Sequence, residues 1–341
     1  MLRQNLIKII KTTKAYKITK PFFSGKGHVL CFHRILPASI QQRLNSPLSL
    51  ETPPEIFEKS ILFFRERNYN FISLDDLYDI LIKRDFPKKF VVYTFDDGYL
   101  DNFQNAYPIL QKYNVPFAIY ITTSFPERTA LMWWYALEDL ILNNSRLQLK
   151  TQEQNYRFDC QTISEKNSAY GKISSLVRNL YPEQIRVLFE PYHINWNDYL
   201  SNNAMDWEQI KALSNDPLVT IGAHTLNHLV LKNLTDDEVR TEILDAKTIL
   251  EEKLKIKIEH FAYPYGSVNE VGAREFAIAK QCGFKTSVTT RTANIFAGHA
   301  NYLQCLPRVG IDISNPDLSL EFISNGTLHF KKNKFKRIVT D

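Results

Sequence analysis

Short apolar runs that stop abruptly at His, Asp or Pro, separated by stretches with helical spacing, constrain this 341-residue chain more than any other feature. His28 to Phe32 ends at His33, Phe90 to Phe95 opens onto Asp96, Asp97 and Gly98, Val219 to Ala223 runs into His224, and His260 to Tyr263 meets Pro264. With 115–122 and 284–289, these runs have the length and β-branched or aromatic content of buried strands. Between them, 54–67, 102–113, Trp207 to Leu213, Asp236 to Leu254 and 268–282 read as helices, and Ser73 with Asp76 predicts a capped helix through Leu81. Strands alternating with helices predict βαβ units and an α/β fold around a parallel sheet, which presents its functional loops at the strands' carboxyl ends.

Residues 127–205 interrupt this rhythm. They are polar and helix-like, begin with Met132, Trp133 and Trp134, and contain one hairpin pattern near 147–158, so they read as a mostly helical insertion. The predicted organisation is a basic amino-terminal helix over 1–24, one large domain over 25–330 carrying the insertion, and a basic tail over 331–341. No internal repeat or low-complexity segment occurs.

Charge is weighted toward the ends. Residues 1–50 hold nine Lys or Arg and no Asp or Glu, which leaves −4 for the remainder of a chain whose total is +5. Two readings stand: solvated ends, or contact with an anionic partner, either a membrane surface or an acidic glycan. The lysines at 8, 11, 14, 17 and 20 wrap around the first helix, which makes its amphipathicity imperfect. Cys31, Cys160, Cys282 and Cys305 form no CxxC pair and predict free thiols in a reducing compartment. No apolar stretch is long enough to span a bilayer, and Lys8 interrupts the only segment resembling a secretory core, so a cytoplasmic protein, peripheral to the inner membrane at most, is expected. Nucleic-acid binding and P-loop chemistry lack their basic–aromatic platforms and glycine-rich turns.

Three strand ends carry chemistry. Asp96 and Asp97 are neighbouring carboxylates that can divide metal binding from proton transfer, although Asp-Asp-Gly alone also describes a turn. His224 and His228 can converge on one ion, and two imidazoles with a carboxylate leave a zinc ion an open position. Tyr263, Pro264, Tyr265 and Gly266 form a tight turn whose backbone N–H groups can face an oxyanion.

Taken together and in this order, TFDDG (94–98), HTLNH (224–228) and YPYG (263–266) resemble the polysaccharide deacetylase family, also called the NodB homology domain or carbohydrate esterase family 4. The resemblance spans roughly 28–310 outside the insertion. It implies a distorted (β/α) barrel of the NodB type. It also implies Asp96 as general base, Asp97, His224 and His228 as ligands of a divalent metal, most simply Zn2+, Thr225 as a brace between the histidines, and the Tyr265 N–H in an oxyanion hole flanked by Pro264 and Gly266. Where many members carry an arginine before the Tyr-Gly turn this chain has Ala262, and Arg308 is the proposed substitute brace. The late histidine motif that supplies the general acid in many members has no match. CFHRI around His33 instead resembles the early histidine strand of the poly-N-acetylglucosamine deacetylases, which makes His33 the expected acid.

The implied activity is metal-dependent removal of N-acetyl groups from a carbohydrate, whether polysaccharide, lipid-linked or nucleotide-linked sugar, in bacterial surface-polysaccharide metabolism. The alternative is a noncatalytic glycan-binding relative. Trp133 and Trp134 are expected either to stack on the sugar or to anchor the insertion.

Overall fold

The computed structural model describes residues 16–39, 42–151, 154–326, 333–334 and 336–340. The predicted amino-terminal helix therefore lies largely outside the described residues, which begin with helix α1, Tyr16–Phe23. The strands and helices that follow are β1 (Gly27–Phe32), β2 (Arg34–Ile35), α2 (Asn45–Leu48), β3 (Glu51–Thr52), α3 (Pro54–Glu66), β4 (Asn70–Phe71), α4 (Leu74–Lys83), β5 (Phe90–Phe95), α5 (Tyr107–Lys112) and β6 (Phe117–Ile121). The insertion supplies α6 (Trp133–Asn143), hairpin strands β7 (Arg146–Lys150) and β8 (Asn155–Asp159), α7 (Ile163–Val177), α8 (Pro182–Phe189) and α9 (Trp196–Asn203). Then come α10 (Trp207–Ser214), β9 (Val219–Ala223), α11 (Asp236–Leu254), β10 (His260–Ala262), α12 (Ala273–Gln281), β11 (Thr286–Val288) and α13 (Pro316–Asn325).

One seven-stranded sheet in the order β1-β5-β6-β9-β10-β11, with β4 beside the start of β5, is parallel throughout and curls into the distorted (β/α) barrel expected from the sequence. Both faces are buried, which explains why its strands read as unbroken apolar runs. Leu30, Phe32, Tyr93, Phe95 and Phe117 pack outward against Phe57, Ile61 and Phe64 of α3 and Leu110 of α5. The alternate residues Val29, Val92, Ala118 and Tyr120 pack on the other face with Leu74, Leu77 and Leu81 of α4. No further named strand lies between β11 and β1 among the described residues. The segment 306–309 bridges them instead, through parallel bridges Leu306 to Val288 and Val309 to Leu30.

Element ends depart from the sequence expectation where local chemistry overrides periodicity. The stretch 102–113 begins with a π-helical turn, Asn102–Ala106, before α5. Pro108 lacks an N–H and blocks the regular ladder at this point. The helix expected from 268 begins only at Ala273, because Ser267 to Gly272 form a separate turn in which the Ser267 hydroxyl donates to Glu270. The strand expected over 284–289 shortens to Thr286–Val288. Ser73 accepts from the Asp76 N–H and completes the capping box at α4.

The insertion builds its own core from Leu131, Trp133, Leu137, Leu147, Ile173 and Phe189 among others. A charge cluster ties it to the barrel: Arg43 bridges Glu51 at 2.6 Å and Glu138 at 2.9 Å, while the Leu44 N–H donates to Glu138. At the other end, the exposed Arg337 of the basic tail lies over the rings of Phe23 and Phe296.

Candidate active site

Because the sheet is parallel, the residues immediately after β1, β5, β9 and β10 emerge along one edge: His33, Asp96 with Asp97, His224, and Tyr263 to Gly266. Backbone hydrogen bonds carry strand pairing into these residues. Asp96 N–H donates to Phe32 O (3.0 Å), His224 N–H to Ile121 O (2.9 Å), and Tyr263 N–H to Val288 O (3.2 Å). The loops then turn sharply. Asp97, Thr225, His228 and Tyr265 all have positive φ between 58° and 77°, a region that L-residues occupy at a cost and that concentrates at functional sites. Gly266, at φ 63°, is required by space as well: a Cβ there would lie 2.8 Å from the Thr290 nitrogen.

Asp97 Oδ1 lies 3.2 Å from His224 Nε2 and 3.3 Å from His228 Nε2. This buried oxygen has no aligned hydrogen-bond partner, so the three lone-pair-bearing atoms converge without bonding to one another. The two separations from Asp97 match the edge of a tetrahedron with bonds of about 2.0 Å, which is about 3.3 Å, so the donor set fits a zinc-like divalent ion. His224 Nδ1 lies 2.7 Å from Ala262 O, which fixes its proton on that nitrogen and leaves Nε2 free as a ligand. Burial works to raise the Asp97 carboxyl, but the adjacent imidazoles hold it well below the ordinary value.

The loop between the histidines is doubly braced. Thr225 Oγ1 accepts from the His228 N–H at 3.0 Å. From α11, buried Glu242 accepts from Asn227 N–H (2.9 Å) and its side-chain amide (2.7 Å). Sequence reasoning missed Glu242, whose signal is an acidic residue inside the predicted Asp236-to-Leu254 helix at a position that must face the barrel. It also missed Asp101, which accepts from Arg34 Nε (2.8 Å) and the Ile35 N–H (2.5 Å) and so anchors the segment following His33.

Asp96 is held differently. Arg308 donates from both terminal nitrogens to its two oxygens, each at 2.6 Å, and from Nε to Thr289 O at 3.1 Å. Both residues are almost completely buried. Burial pushes the Asp96 carboxyl up, and the Arg308 guanidinium more than offsets it, leaving a carboxylate below its ordinary pKa. Arg308 is carried by the segment that closes the barrel and grips Asp96 directly. His33 Nε2 sits 3.9 Å from Asp96 Oδ2 with 23% of its side chain exposed, and burial lowers its pKa despite the two aspartates.

The Tyr265 ring lies tilted against that of His228, 4.9 Å between centres, and the residue's N–H makes no backbone hydrogen bond among the described residues. Pro264 O accepts from the Gly266 N–H (2.6 Å) and closes the turn. The two tryptophans separate: Trp133 is buried in the insertion core, whereas Trp134 lies 6.1 Å from the His228 ring and lines a cleft of about 540 Å3 together with Trp133, Arg178, His228 and Tyr265. Both therefore border the cleft, but the body of Trp133 anchors the insertion.

The sequence model described as polysaccharide deacetylase matches residues 83–287. YxkH of Bacillus subtilis (strain 168), which bears the name of a polysaccharide deacetylase, is 22% identical over 256 residues, covering 75% of this chain and 64% of its own. The poly-beta-1,6-N-acetyl-D-glucosamine N-deacetylase of Staphylococcus aureus (strain MSSA476) is 36% identical over 67 residues, covering 20% of this chain and 23% of its own. The chain thus spans less than two thirds of the length of these curated relatives. Among solved structures, the Streptococcus pyogenes deacetylase PplD in complex with acetate superimposes with a TM-score of 0.59 at 21% identity, over 87% of this chain and 97% of that one. That likeness carries the fold.

Proposed function

The chain belongs to the polysaccharide deacetylase family, and from that premise we propose that it is a metal-dependent hydrolase that removes N-acetyl groups from an amino-sugar glycan. The observation that carries the reading is the convergence of Asp97, His224 and His228 beside an Asp96 clamped by Arg308. Asp97, His224 and His228 would hold the ion, most simply zinc. When bound, such an ion polarises the acetyl carbonyl and acidifies water.

The chain's own groups supply the rest. Asp96, kept ionised by Arg308, accepts the proton of the attacking water, which adds to the acetyl carbon. The Tyr265 N–H faces the developing oxyanion. His33 gives a proton to the departing nitrogen as the C–N bond breaks, yielding acetate and a free amine. Its lowered pKa makes the imidazolium a stronger acid, at the expense of the fraction protonated at neutral pH. Thr225, Pro264 and Gly266 hold the two loops in shape, and Trp134 offers a face to a sugar ring in the cleft.

An N-acetylglucosamine-containing surface polysaccharide, or a lipid-linked or nucleotide-linked precursor, is the proposed substrate class, supported by the Staphylococcus aureus relative's name. A cytoplasmic location, with the basic ends toward the inner membrane, completes the proposal and is supported by the charge distribution alone. The testing experiment measures acetate release from N-acetylated glycans alongside bound metal. Asp96→Asn should lose activity by about 10^2 to 10^4-fold with its metal retained, and His224→Ala should lose the metal. A fully active Asp96→Asn would sink the assignment, and metal without acetate release from any glycan would favour a glycan-binding relative.

A further inference from the structure

Asp96 has neighbours that the proposed reaction does not fully use. Cys31 Sγ lies 3.7 Å from its Oδ2, and His33 Nε2 lies 3.9 Å from the same oxygen. Sulfur, nitrogen and oxygen all fall within 4.8 Å of one another. A thiolate, an imidazole and a carboxylate form a donor set suited to zinc and to softer thiophilic ions. For bonds of about 2.0 to 2.3 Å a tetrahedral ion needs donor separations of about 3.3 to 3.6 Å, a few tenths of an ångström inside those observed. The chain produces this cluster simply. Cys31 and His33 are two apart at the end of β1, which places them on one side of an extended backbone, and the parallel register of β1 with β5 sets Asp96 next to them.

Access distinguishes the cluster from the other thiols. Cys160, Cys282 and Cys305 are buried, whereas Cys31 is only partly so and the His33 side chain beside it is 23% exposed. An ion bound there would displace the Cys31 thiol proton to solvent as the sulfur–metal bond forms, and it would share Asp96 Oδ2 with Arg308, whose Nη2 donates to that oxygen at 2.6 Å while Nη1 holds Oδ1.

We propose that Cys31, His33 and Asp96 form a second, inhibitory site for a thiophilic divalent ion, zinc or cadmium, separate from the ion held by Asp97, His224 and His228. The inhibitory consequence rests on the reading of Asp96 as base and His33 as acid, since occupation ties up both; the existence of the ion site does not.

The experiment uses the full chain loaded with one equivalent of zinc and titrated with cadmium chloride. A sulfur-to-cadmium charge-transfer band in the ultraviolet should appear on further addition, be lost in Cys31→Ser, and persist in His224→Ala, because the first site contains no sulfur. In parallel, acetate release should fall by at least about tenfold, and the cadmium concentration that halves it should rise by at least about tenfold in Cys31→Ser, each protein compared with its own uninhibited rate. A tenfold change is the lower end of what losing even a supporting partner of a metal ligand produces. Should Cys31→Ser fail to bind its first zinc, His33→Gln serves in its place and should weaken the cadmium band's midpoint by a similar factor. No band in excess cadmium, or a band unchanged in Cys31→Ser, overturns the site. A Cys31-dependent band in a protein that releases no acetate leaves the ion site standing and overturns the deacetylase reading instead.

Discussion

Arg308 and Asp96 form a buried ion pair in which each charge depends on the other for its solvation, since both lie almost entirely out of water. Removing one partner of such a pair leaves an uncompensated charge and typically costs about 3–5 kcal/mol. Arg308→Met should therefore lower the urea midpoint by that order of stability, or drive Asp96 to take up a proton, and in either case reduce acetate release by at least about a hundredfold. Arg308→Lys should retain part of the stability but lose the two-pronged grip. An unchanged midpoint and rate in Arg308→Met would show that the clamp is idle. At this scale the sequence was uneven. Asp96, Asp97, His224 and His228 were legible because each sits in a short motif at a strand end. Arg308 lies 212 residues from the carboxylate it holds and entered the sequence reading only as a substitute for an absent arginine. Glu242 was passed over although its helical spacing from Val239 and Ala246 puts it on the buried face of α11, because the spacing does not show that a loop amide waits there.

Among the secondary elements, those defined by long periodic patterns lie where the sequence put them, and those governed by turns do not. Pro108 and the Ser267–Glu270 turn each override a helical pattern with one local hydrogen-bonding fact. The 3-10 turn Ala297–Asn301 carries a further consequence of this kind. Its start is capped by His299, whose Nδ1 accepts the Phe296 N–H at 2.9 Å while the residue is fully buried. Burial brings its pKa down to about 4, so the folded protein holds a neutral ring that the unfolded chain protonates below about 6.5. A base depressed by folding gives a stability that is complete above the unfolded pKa and is lost as pH falls toward the folded one. The loss should reach on the order of 3 kcal/mol between about pH 6.5 and 4. Denaturant midpoints measured across that window should show a slope that His299→Gln flattens, and an equal slope in both proteins would contradict the account.

For the whole molecule, the candidate ion site draws its ligands from two separate loops on strands β5 and β9, so filling it ties together parts of the sheet that unfolding must separate. Zinc at about a thousandfold above its dissociation constant should stabilise the fold by about 4 kcal/mol, on the order of several degrees in Tm for a chain of this size. A chelator should reverse the shift, and His224→Ala should show none; equal melting curves with and without zinc would argue against specific binding. The insertion stands apart in this respect, with its own core and a charge-bridged attachment through Arg43. Its purpose was the least legible part of the sequence, because two adjacent tryptophans read alike until their surroundings differ. The closure of the sheet by 306–309 has a temporal side. A ribosome delivers both aspartates and both histidines well before Leu306, so a product terminated early possesses the ion-binding trio but lacks Arg308 and retains an open seam between β11 and β1. Under the proposed reading, a product that stops between His228 and Leu306 should bind the ion yet leave Asp96 without the guanidinium that keeps it charged.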